Sequence, residues 1–224
     1  MKILAISLKN LASFSGEVSI DFRTPPLAHA GVFAILGRTG AGKSTILDAL
    51  CLALYGTTPR ANAGNDARVP ADGDIAWSTE DPRHLIRRGA DEAYARVVFE
   101  SLAKVYESTW SCRRAARGER NLREVELELR HGQEVIATKI RGVPAKVAEL
   151  TGLNFDNFCR SVLLPQGQFE RFLSCNSGER SKLLEALTDP TGLYRGVSLR
   201  AHERGGQAKE EVERAEAEIG RAHV

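Results

Sequence analysis

Residues 37–45 read GRTGAGKST and fit the pattern G-x-x-x-x-G-K-[ST], and the segments on either side leave this stretch few ways to fold. Before it, GVFAIL at 31–36 is a short apolar run with β-formers, which predicts a buried strand. After Ser44, TILDALCLALY is apolar and long enough for a buried helix. Glycines let the backbone turn so tightly that successive N–H groups converge on one point, and a helix N-terminus adds partial positive charge there. Strand, glycine loop and helix in this order predict a phosphate-binding loop in an α/β P-loop NTPase core. Gly37, Arg38, Thr39, Gly40, Ala41, Gly42, Lys43, Ser44 and Thr45 are the expected nucleotide-binding residues. Lys43 is the cation for the β and γ phosphates and the first catalytic candidate, and Ser44 offers a hydroxyl to Mg²⁺, which keeps several waters and takes few protein oxygens. The expected ligands are ATP and Mg²⁺.

The rest of the chain is read around that loop. KILAISLKNLASFSGEVSIDF at 2–22 alternates apolar and polar residues on each side of SFSGE, predicting two strands joined by a turn. Residues 56–92 are rich in Gly, Pro, Asp and Asn and read as an irregular surface excursion holding one short helix at most. YARVVFE, YESTWSCRR, REVELELR and EVIATKI then predict an antiparallel β subdomain over 93–140, and GVPAKVAELTGL a short helix begun by Pro144.

Composition narrows the class less than the loop does. With 224 residues, 42% hydrophobic and 27% charged, the chain is of ordinary globular type, and 31 Lys plus Arg against 29 Asp plus Glu neither demand nor exclude a polyanionic partner. Cys51, Cys112, Cys159 and Cys175 lie far apart without a C-x-x-C pair and form no ligand-spaced cluster with the histidines, so they read as reduced, mostly buried thiols. No stretch of 18 apolar residues occurs. The expectation is a cytoplasmic protein with no membrane partner.

LKNLASFSGEVSIDF, GRTGAGKSTILDALCLALYG and RSVLLPQGQFERFL, in that order, resemble the bacterial SbcC family, relatives of the Rad-type ATPases of DNA double-strand-break repair and more distantly of the SMC chromosome proteins. The middle region, 56–140, matches only in layout. The resemblance implies the N-terminal half of an ABC-type ATPase head over 1–175, followed from 176 by a helix that starts a coiled coil. It also implies a C-terminal half supplying the signature motif and the acidic segment, a second copy pairing head to head, an SbcD-like nuclease partner that carries the nuclease activity, double-stranded DNA as substrate, and nucleoid association. Consistent with a half head, no apolar run ending in Asp-Glu follows Ser44 and no S-G-G-Q signature occurs. RGGQ at 204–207 lacks the serine.

A glutamine amide can accept from Mg²⁺-bound water and donate to an attacking water without adding charge. Gln166 and Gln168 both qualify in the segment 163–169; the resemblance favours Gln166 as the second catalytic candidate and a metal contact. One departure is Ala12, where archaeal and eukaryotic Rad-type relatives generally carry an arginine. Ala208, Val212, Ala215, Ile219 and Ala222 repeat at coiled-coil spacing, with Gly205-Gly206 interrupting the run at about 1 kcal/mol per glycine. Pattern alone leaves a solvent-facing helix open; the resemblance favours the coiled coil. Arg113, Arg114, Arg117, Arg120 and Arg123 concentrate positive charge on one hairpin, and Arg83, Arg87 and Arg88 with His84 form a second group. Both read either as solvated loops or as sequence-independent DNA phosphate contacts. Three classes remain: an SbcC-like ATPase working with a nuclease, an SMC-type clamp, and a transporter ATPase. Thr39 and Ala41 in the loop favour the first over the second, and the charged helix after 176 disfavours the third.

Overall fold

The computed structural model describes residues 1–61, 68–70, 76–78, 80–114, 122–163, 178 and 193–222. They fall into two compact units, Met1–Gln166 and Gly167–Val224. The first unit is built on alternating strands: β1 (Lys2–Lys9), β2 (Glu17–Asp21), β5 (Glu92–Ser101), β6 (Lys104–Arg113), β7 (Glu126–His131) and β8 (Glu134–Thr138), with β3 (Arg68–Pro70) and β4 (Ala76–Ser78) forming a separate short pair. The six longer strands make one antiparallel sheet in the order β2-β1-β5-β6-β7-β8. Period-two alternation puts Ala93, Ala95, Val97 and Phe99 of β5, Tyr106 and Trp110 of β6, and Leu127 and Leu129 of β7 on one buried face.

Helix α1 (Lys43–Tyr55) covers that face. Ten of its residues, from Thr45 to Tyr55, are buried, and it packs on β1, β5, β6 and α2 (Gly142–Thr151). An apolar side chain fully buried in such a core contributes about 1.5–3 kcal/mol, so Leu52 and Leu54, both wholly buried, anchor the helix that carries the loop. The Ser108 hydroxyl donates to the Ala53 carbonyl at 2.5 Å, stitching α1 to the middle of the sheet. α3 (Phe155–Phe158) and a π-helical turn (Cys159–Leu163) close the described part of the unit.

Three expectations change. The strands of 93–140 do not stand apart as a subdomain: β1 pairs with β5 along its free edge, from Lys2 opposite Glu100 to Lys9 opposite Tyr94, so the N-terminal hairpin and the later strands share one sheet. The helix expected to begin at Pro144 begins at Gly142, where the amides of Gly142 and Val143 both donate to the Lys139 carbonyl. The buried strand expected at 31–36 is neither buried nor a strand: Val32 is 93% exposed, Leu36 88%, Phe33 49% and Ile35 43%. A strand exists only where a neighbour takes its backbone hydrogen bonds, and none of the described strands pairs with this segment.

The second unit contains α4 (Leu193–Ala222), 30 residues that run straight through Gly205-Gly206 as helix. The break expected there is absent; Lys209 and Glu213, 3.9 Å apart one turn on, add a weak exposed pair. Ala208, Val212 and Ala215 of the expected seam are exposed.

Candidate nucleotide site

The loop from Gly37 to Gly42 leads directly into α1, whose N-cap is Gly42. Gly40 and Gly42 hold φ of +82° and +93°, the left-handed region in which a side chain is strained. Gly42 is needed for a second reason: a Cβ there would stand 2.6 Å from Phe14 Cε2 and 2.6 Å from Ser13 Oγ. Ser13 and Phe14, the turn of SFSGE, therefore lie against the base of the loop. The Ala41 amide donates to the Arg38 carbonyl at 3.1 Å and the Thr45 amide to the Gly42 carbonyl at 2.9 Å. The Lys43 ammonium donates to the carbonyls of Gly37 at 2.6 Å and Arg38 at 2.9 Å, folding its side chain across its own loop. Ser44 is exposed at the first turn of α1, Thr45 is buried beneath it, and no acidic residue stands in that turn. Backbone donors, a left-handed cradle without Cβ atoms and one lysine suit a polyphosphate, and the Ser44 hydroxyl suits a Mg²⁺ that takes its other ligands from water and phosphate oxygens.

The turn over Gly42 is braced by residues that sequence reasoning did not single out. Asn10, with φ of +53°, accepts from the Gly16 amide through Oδ1 and donates from Nδ2 to the Glu92 carbonyl, each at 2.9 Å. Asn tolerates the left-handed region better than most residues, which is the signal that was legible. The far end of the 56–92 excursion is pinned to the same turn: the Ala12 amide donates to the Leu85 carbonyl at 2.7 Å, the Arg87 amide to the Asn10 carbonyl at 2.9 Å, and the Arg87 guanidinium to the Ser13 carbonyl at 3.4 Å. Arg87, grouped from sequence with the basic residues, thus stands next to the phosphate loop. Its neighbours Arg83 and His84 are held by Asp81, through its carboxylate and its carbonyl respectively, and the Asp81 contact raises the Arg83 guanidinium pKa.

Asp48, one turn below Ser44, is buried with Arg60 Nη2 3.1 Å from Oδ2, at an angle too poor for a hydrogen bond. Burial pushes its carboxyl pKa up, against the opposing pull of Arg60 and His84.

The two basic groups meet along one edge. The Arg114 amide and guanidinium donate to the carbonyls of Asp91 and Ala90, Arg113 lies 3.9 Å from Glu92, and the Ala90 amide returns to the Arg87 carbonyl. The Arg123 amide donates to the Arg113 carbonyl, closing the base of the hairpin. Arg117 and Arg120, and likewise Gln166 and Gln168, lie outside the described residues. Among the described residues no group of three or more His, Cys, Asp or Glu is placed to hold a metal, and no helix is long and apolar enough to cross a membrane.

Comparison with known proteins supplies a family and a set of relatives. The profile of the AAA domain family matches residues 5–219. The C subunit of the nuclease SbcCD of Rhodobacter capsulatus is 46% identical over 94% of this chain, and that of Pseudomonas aeruginosa 42% identical over 98%. The corresponding protein of Bacillus subtilis is 37% identical over 84%. The chain spans 17%, 18% and 15% of the lengths of these three proteins. With a profile match that covers nearly its whole length, the chain belongs to the AAA domain family, as a segment of SbcC type.

Proposed function

We propose that this chain is the nucleotide-binding part of an ABC-type ATPase head that works in DNA double-strand-break repair with an SbcD-like nuclease, and that its site is completed by a C-terminal half and a second head. The observation that carries the reading is the pairing of a formed phosphate loop with the exposed apolar segment at 31–36 that leads into it. A loop whose amides and lysine suit phosphate, led into by an apolar segment that lies open to solvent instead of in a strand, fits one half of a split head. The relatives are by name the C subunit of a nuclease, SbcCD, which supports the partner.

In this reading Lys43 and the loop amides bind the ATP phosphates, Ser44 would hold Mg²⁺, which would screen phosphate charge when bound, and Gln166 orients the attacking water. Arg87 keeps the Ser13-Phe14 turn seated on Gly42. Arg113, Arg114, Arg117, Arg120 and Arg123 contact DNA phosphates without reading sequence, and the edge that Arg113 and Arg114 share with Arg87 runs toward the nucleotide loop. That proximity gives DNA a physical route to influence the site.

Calorimetry and steady-state hydrolysis test the reading together. The isolated chain binds MgATP weakly and turns it over at background, Lys43→Ala abolishes the binding, and adding the C-terminal half in trans restores turnover. Gln166→Ala in the reconstituted head then lowers turnover more than affinity, because its contacts matter chiefly in the transition state. Robust Lys43-dependent hydrolysis by the chain alone would refute the half-head reading.

A further inference from the structure

Where β5 begins, acidic residues face the basic edge. Glu92, its first residue, lies directly opposite Arg113, the last of β6. The period of two that buries Ala93 and Ala95 puts Glu92 on the open face of the sheet, and Lys9, the last residue of β1, flanks it from the other side. The carboxylate is shared between the two cations: Lys9 Nζ donates to Oε1 at 2.5 Å, and Arg113 Nε stands 3.9 Å from Oε2. The neighbouring Asp91 meets Arg114 in the same way, with Oδ1 3.9 Å from Nε. Lys9, Glu92 and Arg113 thus form a row across three adjacent strands with the acid in the middle.

These contacts differ in how firmly they are held. Arg114 is half-buried and fixed as well by the Ala90 carbonyl, whereas Arg113 is exposed and its contact with Glu92 is long. The Lys9 pair is close but half open to water. The Lys9 hydrogen bond and charge, with a smaller pull from Arg113, hold the Glu92 carboxyl below its ordinary range, so the acid is ionised at neutral pH. An ion pair in contact with water is worth little net, because solvation of the separated charges nearly offsets their attraction. Another anion can therefore take its place.

We propose that Lys9 and Arg113 are two contacts of one phosphate-binding strip for duplex DNA, and that Glu92 is its built-in competitor, an internal anion that DNA phosphate displaces. The strip takes Arg113 from the DNA contact proposed above, on which it rests, and adds Lys9, which stands apart from both basic groups in the sequence. A duplex presents phosphates in a dense row and releases condensed counterions when they are neutralised, so it outcompetes a single carboxylate. An isolated anion brings no such gain and leaves the row closed. Glu92 thereby sets a threshold that favours a continuous backbone over free phosphate.

The test follows binding of a labelled mixed-sequence duplex to the 224-residue chain by fluorescence anisotropy over about 50–200 mM salt, for wild type, Glu92→Gln and Glu107→Gln. Glutamine keeps an acceptor within reach of Lys9 and leaves the Asn10 bond to the Glu92 carbonyl in place, so the change removes charge and spares the turn. Glu107 is the matched control, on the same open face and 3.6 Å from Arg96 further along the strands. Glu92→Gln is expected to tighten binding several-fold and to steepen the dependence of log affinity on log salt by about one phosphate contact, while Glu107→Gln changes neither. Adding Lys9→Gln or Arg113→Gln to Glu92→Gln removes the gain. Binding that appears only in Glu92→Gln supports the competitor as well. An equal gain in Glu107→Gln, or a gain that survives loss of both cations, is a general charge effect and overturns the strip. Wild-type binding that Glu92→Gln leaves unchanged overturns the strip and spares the DNA reading, whereas no binding by either protein overturns both.

Discussion

Replacing Gly42 by alanine separates two costs that the loop combines. Both Gly40 and Gly42 sit at positive φ, +82° and +93°, and placing an L-residue there costs about 1–2 kcal/mol. At Gly40 nothing lies within 4 Å of the added Cβ, so that strain is the whole cost. At Gly42 the same atom meets Phe14 and Ser13 Oγ at 2.6 Å, and the turn that carries them is tied down by Asn10, Leu85 and Arg87 and cannot swing away freely. Overpacking of this kind adds about 1–3 kcal/mol. Gly42→Ala therefore destabilises the chain by about 2–5 kcal/mol and Gly40→Ala by about 1–2 kcal/mol. The denaturant midpoint, followed without nucleotide, reads the difference directly, with the slope unchanged if the native state keeps its compactness. The double variant Gly42→Ala with Phe14→Ala recovers part of the loss if contact is the cause. Equal midpoints for the two single variants would refute the argument that the SFSGE turn is packed on the loop.

Other substitutions test other parts of the structure by the same measurement. Leu52→Ala, in a wholly buried position on α1, costs about 2–5 kcal/mol. Asp48→Asn removes a carboxylate whose folded pKa lies above its ordinary 3.8, so the unfolded chain loses that proton first and the wild type loses stability as pH rises through that window. The variant gains relative to wild type from pH 3 toward neutrality, and a gap that stays constant or shrinks would contradict the burial effect. Replacing Leu102-Ala103, both at positive φ in the β5–β6 turn, by Asn-Gly stabilises by about 1–2 kcal/mol.

What the sequence made legible follows from how local each cause is. The loop and α1 were readable because glycine spacing, Lys43 and eleven consecutive mostly apolar residues after Ser44 act within a few residues of one another. The alternation in β1, β5, β6 and β7 was readable for the same reason, yet the joining of the N-terminal hairpin to β5 was not, since it depends on a contact between residues more than eighty apart, such as Lys9 and Tyr94. The β5–β6 turn carries no Gly, Asn or Asp at Leu102-Ala103, so strand pairing imposes the turn instead of the turn chemistry announcing it. The two basic groups, 26 residues apart between Arg87 and Arg113, came together only through carbonyls at Ala90 and Asp91 that no side-chain pattern encodes.

The segment at 31–36 shows the limit from the other side. Its composition asks for burial, and Val32 and Leu36 are nonetheless almost fully exposed. Hydrophobic patterning records what the whole protein buries, whereas this chain spans less than a fifth of the first relatives it matches, so the two need not agree. Changing Leu36 to serine should therefore leave the stability of the isolated chain within about 0.5 kcal/mol, as an exposed position allows. The same change should weaken association with the C-terminal half by the burial of one leucine, about 1.5–3 kcal/mol, or more than tenfold in the dissociation constant. Calorimetric titration of one half with the other, for wild type and Leu36→Ser, compares the two numbers. Equal affinities would mean that this segment is not where the proposed halves meet, and the reading of 31–36 as a surface that the other half covers would fall.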